Sequence, residues 1–139
     1  MLPPTILMAD DDPDDRMLMK EALEENELPH YIDFVVDGAE LLDYLHKRGK
    51  FVNKSLRPNL IILDLNMPKV DGFKALQLIK KNLNLKDIPV YILSTSGDKF
   101  HIEKALNLGA AGYYRKSTKF DDIVTMVSEV CGRHNKGSI

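Results

Sequence analysis

Residues 60–72 read LIILDLNMPKVDG. An unbroken apolar run ends in an aspartate, crosses a short polar stretch, and gives way after Asp71-Gly72 to GFKALQLIK, whose apolar residues recur at helical spacing. A strand that is apolar at every position is buried on both faces, as strands are in a parallel sheet covered by helices on each side. The same strand-then-helix cadence extends in both directions. Strands are expected at Thr5 to Ala9, Tyr31 to Val36, Leu60 to Asp64, Val90 to Ser94 and Gly112 to Arg115. Helices are expected over roughly Pro13 to Glu27, Gly38 to Arg48, Asp71 to Leu83, Asp98 to Leu108 and Phe120 to Cys131. Such an alternation, with right-handed crossovers, makes an α/β fold: a doubly wound, five-stranded parallel sheet. Its ligands bind beyond the carboxyl ends of the strands, so the chemistry is expected at that edge.

Local signals agree with the cadence. Asp12 is placed to cap the first helix, Pro13 suits its first position, and Asp14 and Asp15 complement its dipole. The pairs Asp37-Gly38 and Asp71-Gly72 could mark hairpins, but each is followed by apolar residues at helical spacing, so both are read as loop-to-helix junctions. From Lys47 to Pro58 the chain is polar and basic with little periodicity, which reads as a solvated surface loop rather than a docking site. At 139 residues the chain fits one domain, taken as 1–131, with a frayed tail over 132–139.

Composition narrows the function classes. Apolar residues make up 44% and charged residues 29%, ordinary for a folded, soluble protein. A formal net charge of -2 provides no general drive toward nucleic acid, so direct DNA binding is not expected. No apolar run approaches the ~20 residues that span a membrane, and MLPPTILMADDD turns acidic too early for a signal peptide, which points to the cytoplasm. The lone cysteine, Cys131, falls on the apolar stripe of the last helix and is read as core. His30, His46, His101 and His134 have no metal-ligand spacing and are read as surface or packing residues.

Several polar residues collect at the carboxyl edge. Strand one runs into Asp10, Asp11 and Asp12, strand three ends in Asp64, strand four in Ser94, and Lys116 follows strand five. Crowded carboxylates repel one another and are expensive to hold ionised without a cation. Oxygen ligands without clustered His or Cys favour a hard cation, and Mg2+ takes one or two carboxylates, waters and a phosphate. Asp11 and Asp64 are the expected direct ligands, with Asp10 acting through water. Asp12, Asp14 and Asp15 are accounted for by helix capping alone.

These residues resemble the response-regulator receiver domain. ILMADDD is similar to its first strand and acidic pair, LIILDLNMPKVDG to its phosphorylation loop, VYILSTS to its fourth strand, and GAAGYYRKS to its fifth strand and lysine. The ordered set covers essentially the whole chain. The resemblance implies a (βα)5, flavodoxin-like sheet with strand order 2-1-3-4-5 and a stand-alone regulator that accepts a phosphoryl group from a sensor histidine kinase. Such a chain is not a conventional enzyme, although it assists its own phosphorylation and dephosphorylation. By position, Asp64 resembles the phosphoacceptor, Asp10 and Asp11 the acidic pair, and Ser94 the hydroxyl that bonds the phosphoryl group. The resemblance further implies a Mg2+ ligand in the Asn66 carbonyl, a phosphate-contacting cation in Lys116, and an aromatic switch in Tyr113. Output would pass through the surface of the fourth helix, fifth strand and fifth helix, either in a homodimer or to a relay partner. HKRGKFVNKSLRPNL and Lys116-Ser117 look like the stand-alone receivers that work with bacterial phytochromes. The family's usual proline after the lysine, joined by a cis bond, is replaced by Ser117; a cis bond before a non-proline residue costs about 2.5–4 kcal/mol, so the bond here is either trans or strained.

Rival readings fit less well. A haloacid-dehalogenase-type phosphatase needs a second Asp two residues after its nucleophile, where this chain has Asn66. A flavodoxin-like flavin carrier must cradle a phosphate in its first loop, which DDDPDD would repel. A degenerate receiver that binds partners without phosphorylation is at odds with the complete acidic set, Ser94 and Lys116.

Overall fold

The parallel ladder runs β2 (Tyr31–Val35), β1 (Thr5–Ala9), β3 (Leu60–Leu63), β4 (Val90–Ser94), β5 (Gly112–Arg115), so the expected order 2-1-3-4-5 is realised. The structure is a computed structural model that describes residues 5–26, 30–53, 57–67, 69–117 and 119–135. The helices are α1 (Pro13–Glu25), α2 (Gly38–Leu45), α3 (Gly72–Lys81), α4 (Lys99–Asn107) and α5 (Phe120–Asn135).

Alternation along each buried strand divides the core into two layers. Leu7, Ala9, Ile61, Leu63, Val90 and Ile92 face one way and pack with Leu41 of α2 and with Ala75, Leu76 and Ile79 of α3. Ile6, Met8, Leu60, Ile62, Tyr91 and Leu93 face the other way and pack with Met19, Ala22 and Leu23 of α1 and Met126, Val127 and Val130 of α5. Cys131 belongs to the second layer, and burial pushes its thiol up to about 11, as suits an unreactive core residue.

The two Asp-Gly pairs are loop-to-helix junctions. Asp37 caps α2 by accepting from the Glu40 N–H at 2.7 Å, and Asp71 caps α3 by accepting from the Lys74 N–H at 3.0 Å. Their glycines let the helix starts touch the loop after β3. A Cβ at Gly38 would lie 1.9 Å from the Val70 carbonyl oxygen, and one at Gly72 would lie 2.5 Å from the Asp64 carbonyl oxygen.

Most element boundaries fall within two residues of expectation, and three stretches depart further. α2 stops at Leu45 rather than Arg48, because Lys47 turns to φ 55°, a left-handed conformation that ends a helix. The basic stretch that follows is not a plain solvated loop. A 3-10 turn at Gly49–Phe51 buries Phe51 against the Tyr44 ring, 5.1 Å between centroids, while residues 54–56 lie outside the described residues. α5 continues through Gly132 and Arg133 to Asn135, four residues past Cys131, where a frayed tail was expected. A single glycine weakens a helix by about 1 kcal/mol without breaking it, and the last turns are tied to the sheet by the Tyr114 hydroxyl, which donates to Glu129 at 3.0 Å. The rest of that tail, 136–139, lies outside the described residues. Among the described residues, no helix is long and apolar enough to cross a membrane.

Because a Cβ at position 38 would run into the Val70 backbone, Gly38→Ala should lower stability by about 1–3 kcal/mol. A urea melt with a lower midpoint and unchanged slope is the expected result. An unmoved midpoint would mean that α2 does not bear on the loop.

Candidate functional site

Strand pairing carries on past the strand ends and thereby aims the site. The Asp10 N–H donates to the Val35 carbonyl at 3.0 Å, the Asp64 N–H to the Ala9 carbonyl at 3.0 Å, and the Lys116 N–H to the Ser94 carbonyl at 2.7 Å. Asp10 and Asp64 follow β1 and β3, the neighbours on either side of the point where strand order reverses, which is where ligands of doubly wound sheets bind. Gly72 reinforces this placement, since its N–H donates to the Leu65 carbonyl at 2.9 Å and holds the α3 start against the loop that carries Asp64.

The expected acidic set converges. Asp10, Asp11 and Asp64 bring carboxylate oxygens within 4.8 Å of one another, with Asp10 and Asp64 buried and Asp11 exposed. Asp10 Oδ1 accepts from the Asp12 N–H at 2.9 Å, and Asp64 Oδ1 from the Asn66 N–H at 3.2 Å. Lys116 Nζ lies 3.0 Å from Asp10 Oδ2 and 3.2 Å from Asp64 Oδ2. Ser94 closes the edge and is fully buried. The Lys116–Ser117 peptide bond is trans, and the Ser117 hydroxyl donates to Asp122 in the first turn of α5 at 2.7 Å.

The electrostatics follow from crowding out of water. Burial lifts the Asp10 carboxyl to about 6, against the Asp12 N–H and Lys116 that favour its ionised form. Asp64 is likewise raised by burial and, to a lesser degree, by the Asp11 charge, with Lys116 opposing. For Lys116 burial disfavours the ammonium, but Asp15, Asp10 and Asp64 outweigh it and hold the group above the ordinary lysine range.

The arrangement fits a hard divalent cation. Asp10 Oδ2 is buried and rests on an ion pair with Lys116 at 3.0 Å, an ammonium that it shares with Asp15 and Asp64. Buried carboxylates that share one ammonium are short of positive charge, and an all-carboxylate set suits Mg2+ or Mn2+.

Two side chains do more than their sequence reading assigned. Asp15, read as a helix-dipole residue, places Oδ2 at 2.7 Å from Lys116 Nζ, the shortest contact that ammonium makes with a carboxylate. The available signal was an excess of acids in DDDPDD beyond what one helix start can use. His101, read as surface or packing, sits with Nδ1 2.8 Å from the Ser96 Oγ, its ring 5.8 Å from that of Phe73. Tyr113 is half-buried and donates to the Ser96 carbonyl at 2.7 Å, so Tyr113, Ser96 and His101 are linked two residues beyond Ser94.

A doubly wound sheet with carboxylates, a hydroxyl and a lysine at its switch point is an α/β domain whose edge has the charge and donors to hold a divalent cation and a phosphoryl group. The family model described as the response regulator receiver domain matches residues 6–128, and the chain belongs to that family. It is similar to the response regulator Rcp1 of Synechocystis sp., 37% identical over 128 residues that cover 92% of this chain and 86% of the relative. Among solved structures, the Mn(2+)-bound form of Rcp1 superposes with a TM-score of 0.84 at 37% identity, covering 92% of this chain and 91% of the other. The phosphorylated cyanobacterial phytochrome response regulator RcpA does so with 0.85 at 37%, over the same shares. The chain is thus a receiver of two-component signalling, a class that takes phosphate from histidine kinases and binds Mg2+ or Mn2+ in its acidic pocket.

Because the Asp10 carboxyl titrates near 6 when folded and near 3.8 when unfolded, its protonation stabilises the metal-free fold below pH 4, and that contribution is lost as pH rises through about 6. A Mg2+ ion held on these oxygens would compete with the proton and should raise the thermal midpoint more at pH 7.5 than at pH 5. Without metal, Asp10→Asn should be more stable than the native chain at pH 7.5. Equal Mg2+ effects at both pH values would remove Asp10 from the cation site.

Proposed function

We propose that this chain is a single-domain response regulator that accepts a phosphoryl group on Asp64, with Mg2+, from a sensor histidine kinase. The observation that carries the reading is the buried Asp64 carboxylate, held 3.2 Å from Lys116 Nζ and grouped with Asp10 and Asp11. In the transfer, an Asp64 oxygen forms a bond to phosphorus as the bond from phosphorus to the kinase imidazole breaks. The imidazole leaves with that electron pair. Lys116 offsets charge on the moving oxygens, the main help a protein gives to phosphoryl transfer. Asp10, Asp11, Asp64 and the Asn66 carbonyl would hold Mg2+, which when bound supplies charge neutralisation at the phosphoryl oxygens.

The product carries roughly -1.5 to -2 charge, and Ser94 is the hydroxyl at hand to bond it. Ser94 is two residues from the Ser96 carbonyl that Tyr113 holds, so a shift of Ser94 reaches the α4, β5 and α5 surface. Phe100 and Leu106 are exposed on α4 and supply apolar area there for a homodimer or a relay partner. The likeness to the phytochrome response regulator RcpA supports a phytochrome-type kinase as donor. We place the protein in the cytoplasm, acting through protein contacts rather than on nucleic acid. Asn66 argues against a phosphatase on other substrates, since its carboxamide cannot donate and retake a proton as a second aspartate would.

Incubation with acetyl phosphate followed by intact-mass measurement tests the reading. A Mg2+-dependent, base-labile phosphoryl adduct is expected on the native chain and none on Asp64→Asn. No adduct from acetyl phosphate or from a phosphorylated histidine kinase would leave a binding module that does not use phosphorylation.

A further inference from the structure

Asp15 lies in the first turn of α1, three residues after the Asp12 N-cap, where an acidic side chain ordinarily reaches back to the N-cap N–H. That N–H is already taken by Asp10 Oδ1 at 2.9 Å. The Asp15 carboxylate turns instead to Lys116 and accepts its hydrogen bond at 2.7 Å, across 101 residues of sequence. Lys116 also donates to Asp64 Oδ2 at 3.2 Å. An ammonium has three donors on a flexible four-carbon stem, so one anchored N–H leaves the others able to follow charge at Asp64.

Asp10 and Asp64 cannot serve as that anchor while they serve a divalent cation, because the cation takes up their charge. Asp15 stands outside the group of carboxylates whose oxygens converge within 4.8 Å, and so keeps its charge for the lysine. We propose that Asp15 is a positioning residue for phosphoryl transfer: it anchors the Lys116 ammonium beside Asp64, so that the N–H now on Asp64 Oδ2 passes to the phosphoryl oxygens. The proposal rests on Asp64 being the phosphoacceptor.

The test follows the rate of phosphorylation by acetyl phosphate at saturating Mg2+, read by intact mass over hours so that slow variants remain measurable. An Asp64 oxygen bonds to phosphorus as the bond from phosphorus to the acetyl oxygen breaks, and acetate leaves with the electron pair. Asp15→Ala should slow the reaction about tenfold, the rate equivalent of one charge-assisted hydrogen bond. Asp15→Asn, which keeps an acceptor oxygen and the native shape but not the charge, should fall between the two. In a Lys116→Ala background, Asp15→Ala should change the rate by less than about twofold, because the partner through which it acts is gone. Mg2+ affinity of the unphosphorylated chain should stay within about threefold for Asp15→Asn, while Asp11→Asn weakens it by more than about tenfold. A native rate for Asp15→Ala, equal slowing with and without Lys116, or a Mg2+ defect matching that of Asp11→Asn would each overturn the proposal. A native chain that takes up no phosphoryl group from acetyl phosphate or from a phosphorylated histidine kinase overturns the phosphoacceptor reading and this proposal together, whereas native uptake with unaffected Asp15 variants overturns this proposal alone.

Discussion

The ammonium of Lys116 faces oxygens of Asp10, Asp15 and Asp64, all within 3.2 Å, with Asp11 close to two of those acids. One positive charge cannot balance four carboxylates in a setting where burial has already removed much of their hydration. The imbalance is the central constraint on this molecule. Burial, and to a smaller degree the neighbouring carboxylates, makes Asp10 and Asp64 hold protons more tightly than ordinary carboxylates, and the same crowd of acids keeps Lys116 charged despite its burial. An edge built in this way is short of positive charge, and a divalent cation would supply what Lys116 alone does not.

Such an edge is held together by the rest of the fold. Two apolar layers, one on each face of the sheet, fix the strands, and backbone bonds beyond the strand ends carry that rigidity to Asp10, Asp64 and Lys116. Gly38 and Gly72 let α2 and α3 close on the loop after β3, where a methyl group would meet backbone. Asp10 and Asp64 are therefore presented by elements buried in the core. The opposite quality appears at Ser96, whose hydroxyl contacts His101 and whose carbonyl accepts from a half-buried Tyr113. These contacts are side-chain bonds near the surface, and they can exchange partners without disturbing the sheet.

Much of the fold was legible because burial on both faces leaves a simple mark. LIIL and VYIL are apolar at every position, and β1 and β4 begin and end where that pattern places them. Helix starts were legible for a local reason, since Asp12, Asp37 and Asp71 each cap a helix through a neighbouring N–H. Helix ends were less so. Lys47 ends α2 by a left-handed turn that a lysine does not advertise, and the burial of Phe51 depends on Tyr44. α5 continues past Gly132 after Glu129 has been tied to Tyr114 of β5, a contact across the fold that a local reading cannot weigh.

The candidate site divides along the same line. Asp10, Asp11, Asp64, Ser94 and Lys116 could be named from the sequence, because each lies at or just past a strand end and parallel strands bring their carboxyl ends to one edge. Backbone topology alone therefore determined that they meet. What only the tertiary structure decided is how each side chain is used once there. Asp15 could cap a helix or pair with a cation, and the choice was made by Asp10 Oδ1, which occupies the Asp12 N–H, and by Lys116, which arrives from the far end of the chain. Strand periodicity is a property of neighbouring residues and is written in the order of amino acids. The partner of a charged side chain is settled by competition among groups brought together in space, and that competition exists only after the chain has folded.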